Sequence, residues 1–120
     1  MASDDVGECI SELADVLRFF VELRNYSYVD RIANALTSEP VQISLRDALR
    51  HLRSFYDSSF EIKADEKKLR AVTVRIGGVE KQKVLPKIPK ERCINEFLEA
   101  IRKDISVANR LAMMALSYRR

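Results

Sequence analysis

Arg46, Arg50 and Arg53 fall at i, i+4 and i+7, the spacing that lines side chains along one face of a helix. At 1.5 Å rise per residue the three guanidiniums would span about 10 Å. Guanidinium grips phosphate with two prongs and stays charged at any working pH, so such a stripe suits a nucleic-acid backbone. The plainer reading is a solvated helix face whose arginines pair with acids of the first two helices. A second basic run follows: Lys63, Lys67, Lys68 and Arg70, then Arg75, Lys81, Lys83, Lys87 and Lys90. Lysines on an edge strand also guard against pairing with other chains, but nine bases exceed what edge protection needs. Arg102, Lys103, Arg110, Arg119 and Arg120 form a third cluster. Tyr26, Tyr28, Tyr56 and Tyr118 are either stacking platforms for bases or core aromatics. The candidate nucleic-acid contacts are therefore Arg46, Arg50, Arg53, Lys67, Lys68, Arg70, Arg102 and Arg110.

Catalytic patterns are absent by comparison. His51 is the only histidine, which removes His-based metal sites and leaves one candidate base. It stands one turn after Asp47, and a simple i,i+4 contact on a solvated face accounts for that spacing. A base oriented by Asp47 is the alternative, with Ser54 three residues on. Gly77-Gly78 matches neither phosphate-loop spacing. Glu96 and Glu99 lie on an ordinary charged helix face. The expectation is a protein without catalytic residues, metal or cofactor.

Charge is distributed unevenly along the 120 residues. Residues 1–40 carry eight acids against three bases, whereas residues 63–90 carry nine bases against three acids. Such sorting says more about partners than about fold, and points to a polyanion. The functional reading requires folding to gather the bases into one track while the acidic third turns elsewhere. Composition is that of a soluble globular domain. The acidic opening Met1-Ala2-Ser3-Asp4-Asp5 is unlike a secretory signal, and no apolar run is long enough to span a membrane, so a cytoplasmic protein is expected. Cys9 and Cys93 lack metal or redox spacing; they read as two half-buried thiols, with a bridge as the alternative.

Apolar periodicity supplies the elements that must position these groups. A first helix is predicted over residues 6–23, with Asp5 as its cap and Asn25 as its stop. Ser27-Tyr28-Val29-Asp30 reads as a capping box opening a second helix, with Val29, Ile32, Ala33 and Leu36 inward and Thr37-Ser38-Glu39-Pro40 as its end. Ser44-Leu45-Arg46-Asp47 reads as another box, starting a helix that reaches Tyr56. The period then changes to two. Phe60 and Ile62, then Val72, Val74 and Ile76, alternate with polar residues around a turn at residues 65–68. Gly77-Gly78 makes a tight hairpin that sets Arg75 opposite Glu80, and a third strand returns over residues 79–85. Pro86 and Pro89 mark the exit to a long helix from about Lys90, with Asp104-Ile105-Ser106 as its possible break. Its small residues Ala108, Ala112 and Ala115 fit close packing within the core, or a subunit contact. The fold class expected is mainly α: one domain of four to five helices with a basic hairpin or three-stranded meander around residues 59–85. Within it, residues 1–58 are the N-terminal helices, 59–88 the β insertion and 89–120 the helix that completes the bundle.

Three helices, a basic hairpin and a last helix also spell a winged helix-turn-helix, with Arg46 and Arg50 entering the major groove. The connection over residues 37–43 is long for that motif. The stretch Asn25-Tyr26-Ser27-Tyr28-Val29-Asp30-Arg31-Ile32-Ala33-Asn34-Ala35-Leu36, followed by Glu39-Pro40-Val41 and the arginine-bearing helix, resembles the small subunit of archaeal type I-A CRISPR interference (Cascade) complexes. That resemblance implies a non-catalytic subunit lying along a guide-RNA filament against its backbone and large subunits, in several copies that can touch one another. It would help hold the guide–target duplex or the displaced DNA strand by charge, while base pairing reads sequence. A winged-helix regulator and a protein-interaction domain with solvated charges are the competing expectations.

Overall fold

The structure, a computed structural model, describes residues 2–117, with side chains from Gly7 onward. Its elements follow in the order α1 (Ala2–Glu22), α2 (Ser27–Ala33), α3 (Ser38–Asp57), β1 (Phe60–Ala64), β2 (Lys67–Ile76), β3 (Val79–Val84), α4 (Glu91–Lys103) and α5 (Ser106–Leu116). This is the mainly helical class with an inserted three-stranded meander that the two periodicities predict. One hydrophobic cluster joins all five helices to Val72 of β2 and to Leu85 just past β3. Helix α1 is its axis and packs on each of the other four. Leu13, Leu17 and Phe20 are at most 1% exposed, each such side chain contributing about 1.5–3 kcal/mol. Ala108, Ala112 and Ala115 are buried and let α5 lie close against α1 and α2. Among the described residues, no helix is long and apolar enough to cross a membrane.

The helix boundaries differ from the sequence reading for local reasons. Helix α1 takes in the acidic opening segment, whose charge suits the positive end of the helix dipole, so Asp5 lies inside the helix rather than capping it. It ends in a Schellman closure: Arg24 adopts φ 65°, its amide reaches Val21 O at 2.9 Å, and the Asn25 amide reaches Phe20 O at 2.9 Å. Asn25 Oδ1 then accepts from the Ser27 amide at 3.2 Å and the Ser27 hydroxyl at 2.9 Å. Asn25, rather than a Ser27 capping box, thus organises the entry to α2. That helix stops at Ala33, so Leu36 leaves the apolar stripe and is 88% exposed in the connection.

Helix α3 begins at Ser38, behind an extended Thr37, and not at Ser44. Pro40 therefore sits in the first turn, where amides have no intrahelical acceptor and a missing N–H loses nothing. The proline that reads as a helix stop is part of a helix start. Ser44 becomes a mid-helix residue, 1% exposed, its hydroxyl without a hydrogen-bond partner among the described residues.

In the sheet, β2 is central, pairing antiparallel with β1 and β3. Both connections are two-residue turns with positive φ at each position: 53° and 65° at Asp65-Glu66, 60° and 81° at Gly77-Gly78. Lys67 and Lys68 consequently belong to β2 rather than to the turn. Arg75 lies opposite Glu80 as predicted, its guanidinium 3.8 Å from the carboxylate. The last helical stretch does break at Asp104, whose carboxylate accepts from the Ser106 hydroxyl at 2.7 Å and amide at 3.1 Å. Those hydrogen bonds, led by the hydroxyl, hold the Asp104 carboxyl below the usual carboxylate range. Cys9 and Cys93 are joined as a disulfide, not left as two thiols. The side-by-side packing of α1 and α4 brings their Cα atoms to 5.2 Å, within disulfide reach.

Candidate nucleic-acid interface

The acidic N-terminal third only partly turns away from the bases. Lys83 Nζ lies 2.8 Å from Glu22 and Lys87 Nζ 3.4 Å from Glu12, so part of the sequence's charge contrast docks the meander onto α1. Lys68 and Arg75 each sit 3.8 Å from an acid on the adjacent strand, Glu61 and Glu80. Among the described residues, Lys63, Lys67, Arg70, Lys81 and Lys90 have no carboxylate at ion-pairing distance.

The arginine stripe of α3 is similarly divided. Arg46 is half-buried against Glu91 at the start of α4, 2.8 Å away. Arg50 pairs with Asp47 at 3.0 Å. Arg53 is exposed and has no acid at that range among the described residues. These pairings bear on the winged-helix reading. The α2–α3 connection is only residues 34–37, which removes the objection to its length. Arg46 and Arg50, however, are the two side chains that such a motif would insert into a groove, and both carry intramolecular carboxylates.

His51 makes no hydrogen bond or ion pair with Asp47. Its Nδ1 lies 3.0 Å from the Tyr28 hydroxyl, and its ring stacks on Phe55 with centroids 5.1 Å apart. Phe20 also packs against it, with centroids 4.9 Å apart. Burial, followed by the negative charge of Asp47, pushes the Tyr28 hydroxyl above its ordinary pKa, against the pull of Arg31 and Arg50. Tyr28 is thus a core aromatic with a satisfied hydroxyl. Tyr26 is exposed. Tyr118, Arg119 and Arg120 lie outside the described residues.

The cations converge where α3 ends. Tyr56, Lys68, Leu69, Arg70, Leu85, Lys87 and Ile88 line one cleft between the last turn of α3, strand β2 and the connection to α4. Arg70 Nε donates to the Ser59 hydroxyl at 3.0 Å, and its Nη2 donates to the Ser59 carbonyl at 2.9 Å. Both acceptors are neutral, so the guanidinium is fixed in place with no carboxylate at ion-pairing distance among the described residues. Lys68 and Arg70, two residues apart on β2, share a face. The Tyr56 hydroxyl donates to the Pro86 carbonyl at 2.7 Å, which pins the ring. Burial raises the Tyr56 pKa, and nearby Arg70 opposes that shift. Arg53 stands three residues before Tyr56 on the same helix. Of the predicted contacts, Lys68 and Arg70 line this cleft with Arg53 nearby. Lys67 belongs to the opposite face of β2. Arg102, paired with Glu99 at 3.4 Å, and Arg110 on α5 do not line it.

Sequence reading missed Ser59, Leu69, Leu85 and Ile88. Ser59 gave no signal, because its role depends on β1–β2 register, which sets Glu61 opposite Arg70 and leaves Ser59 within the guanidinium's diagonal reach. No curated protein matches the chain. A family model described as CRISPR-associated protein (Cas_Csa5) matches residues 16–118, a span that takes in the end of α1 and every later element. The family named by resemblance from the Tyr28–Leu36 stretch is the one matched across most of the sequence: the chain belongs to the Cas_Csa5 family of CRISPR-associated proteins.

Proposed function

We propose that this protein is a non-catalytic small subunit of a type I-A CRISPR RNA-guided surveillance complex, working in the cytoplasm. It lies along the assembly against the backbone and large subunits and helps hold the guide–target duplex or the displaced DNA strand by its phosphates. Family membership supports the complex. One observation carries the strand-holding role: Arg70 is oriented by neutral Ser59 oxygens rather than by an acid, and it faces the same cleft as Lys68 and Lys87. A guanidinium held this way meets phosphate without first breaking an ion pair or ordering its own side chain. The sole histidine is engaged in aromatic packing and with the Tyr28 hydroxyl, which supports a role without catalysis.

The test is the salt dependence of binding to an arbitrary single-stranded oligonucleotide. Replacing Arg53, Lys68 and Arg70 together by glutamine is expected to flatten the slope of log K against log salt by about 2, at ~0.7 per lost contact. An unchanged slope moves the phosphate track elsewhere. Affinity purification of the native complex is expected to recover guide RNA with the backbone and large subunits. Recovery of the chain free of both overturns the subunit assignment.

A further inference from the structure

The same cleft carries a second property that phosphate contacts do not need. Its cations, Arg70, Lys68 (3.8 Å from Glu61) and Lys87, share the lining with Leu85, Ile88 and the ring of Tyr56. Leu85 is 6% exposed and anchored to the core, while Ile88 remains half-buried; Leu69 alternates with Lys68 and Arg70 and belongs to the other face of β2. Tyr56 cannot swing freely, because its hydroxyl is bonded to Pro86 O at 2.7 Å. A duplex presents phosphates and sugars at its surface and keeps its bases stacked inside, so it would leave these apolar groups uncovered. An unpaired nucleotide offers both halves of the match: an apolar π face and, one sugar away, a phosphate. The neutral anchoring of Arg70 beside the apolar floor fits that pairing of surfaces better than it fits an acidic peptide, which would bring charge without a flat apolar body.

We infer that this cleft seats one unpaired nucleobase of a single strand, against Tyr56 and Ile88, with its flanking phosphates on Arg70 and Lys68. The inference rests on the strand-holding reading above and narrows it from any backbone to a strand whose bases are free. Lys87 takes part at the rim while keeping its contact with Glu12, 3.4 Å away.

The test separates base from backbone. The full chain is titrated with a thymidine 15-mer and with a 15-mer of abasic residues carrying the same number of phosphates, in DNA and in RNA form. The thymidine strand is expected to bind about tenfold tighter at equal salt, with the same salt slope. Ile88→Ser is expected to erase that tenfold difference. Because a cleft variant can disturb packing, a second measurement uses the unaltered protein: photo-crosslinking to a strand containing 5-iodouracil, mapped by mass spectrometry, is expected to label Tyr56. Equal affinity for the two strands, or labelling confined to Tyr26 and Tyr28, overturns the base-seating cleft while leaving the backbone reading intact. Binding of neither strand overturns both. A Tyr56 adduct to another subunit in the assembled complex, in place of nucleotide, shows the cleft to be a protein contact and overturns it as well.

Discussion

The meander meets the helices in two places and treats its cations differently at each. Along α1, Lys83 and Lys87 face Glu22 and Glu12, and the Lys83–Glu22 pair is only about a quarter exposed on each side. Beside the end of α3, Arg70 finds only the neutral oxygens of Ser59. Both regions are built from the same basic segment, and composition does not separate them. A carboxylate partner offsets part of the charge it faces, most where the pair is close and half-buried as at Lys83 and least where it is long and exposed as at Lys68, whereas a hydroxyl and a carbonyl orient a cation and leave its field intact. The number of bases in a sequence therefore overstates the charge available to a polyanion. How each base is anchored decides which side of that line it falls on.

The largest expected effect tests whether the two regions are independent. The Cys9–Cys93 bridge closes a loop of 84 residues and ties α1 to α4. Loop-closure entropy of that size is worth about 4 kcal/mol, so reduction or Cys93→Ser is expected to lower Tm by roughly 15 °C. Oligonucleotide binding below the new melting temperature should keep its salt slope. Coincident melts with and without reductant would remove the bridge from the stability of the bundle. A slope that collapses on reduction would show that the cleft depends on the α1–α4 clamp.

A matched pair of substitutions sharpens the contrast directly. Lys83→Gln is expected to lower stability by about 1 kcal/mol, less at high salt, because it breaks a partly buried ion pair. It should leave the binding slope unchanged. Arg70→Gln is expected to do the reverse, with a slope reduced by ~0.7 and little change in melting. Chemical denaturation and salt titrations on the two variants check both halves. The same phenotype from both substitutions would mean that the anchoring atoms do not sort the cations.

The sequence was legible where pattern is periodic and opaque where a partner lies far along the chain. Alternation of Val72, Val74 and Ile76 around Gly77-Gly78 placed β2 and β3 in register, down to Arg75 opposite Glu80. The Asp104-Ser106 break was visible because both the residue that accepts and the one that donates are local. Arg46 was not assignable, since its acid, Glu91, sits on another helix beyond the whole meander. The disulfide was open for the same reason. The helix starts divided. Ser27 does open α2, held by Asn25 rather than by a capping box, whereas α3 starts behind Thr37 and not at Ser44, because local spacing alone could not rank the competitors. As for the cleft, its basic rim was in view from the lysine run, whereas its apolar floor looked like ordinary strand and linker positions.

Ser44 gives the smallest effect and the cleanest sign. A capping serine satisfies an exposed helix amide, and removing it costs about 1 kcal/mol. In the folded chain Ser44 is 1% exposed in the middle of α3, beside Leu45 and Ala48 in the core, and its hydroxyl has no partner among the described residues. A buried hydroxyl without a partner has lost its water and gained nothing in return. Alanine fills nearly the same space and favours the helix interior by a few tenths of a kcal/mol. Ser44→Ala is thus expected to stabilise the protein by about 1 kcal/mol in denaturant titration, with no effect on strand binding. A loss of that size instead would restore Ser44 as a helix start, shorten α3 from its N-terminal end and lengthen the α2–α3 connection. Arg46 would then sit in the first turn of a shorter helix and Arg50 in the second, and their pairing with Glu91 and Asp47 would have to be drawn again.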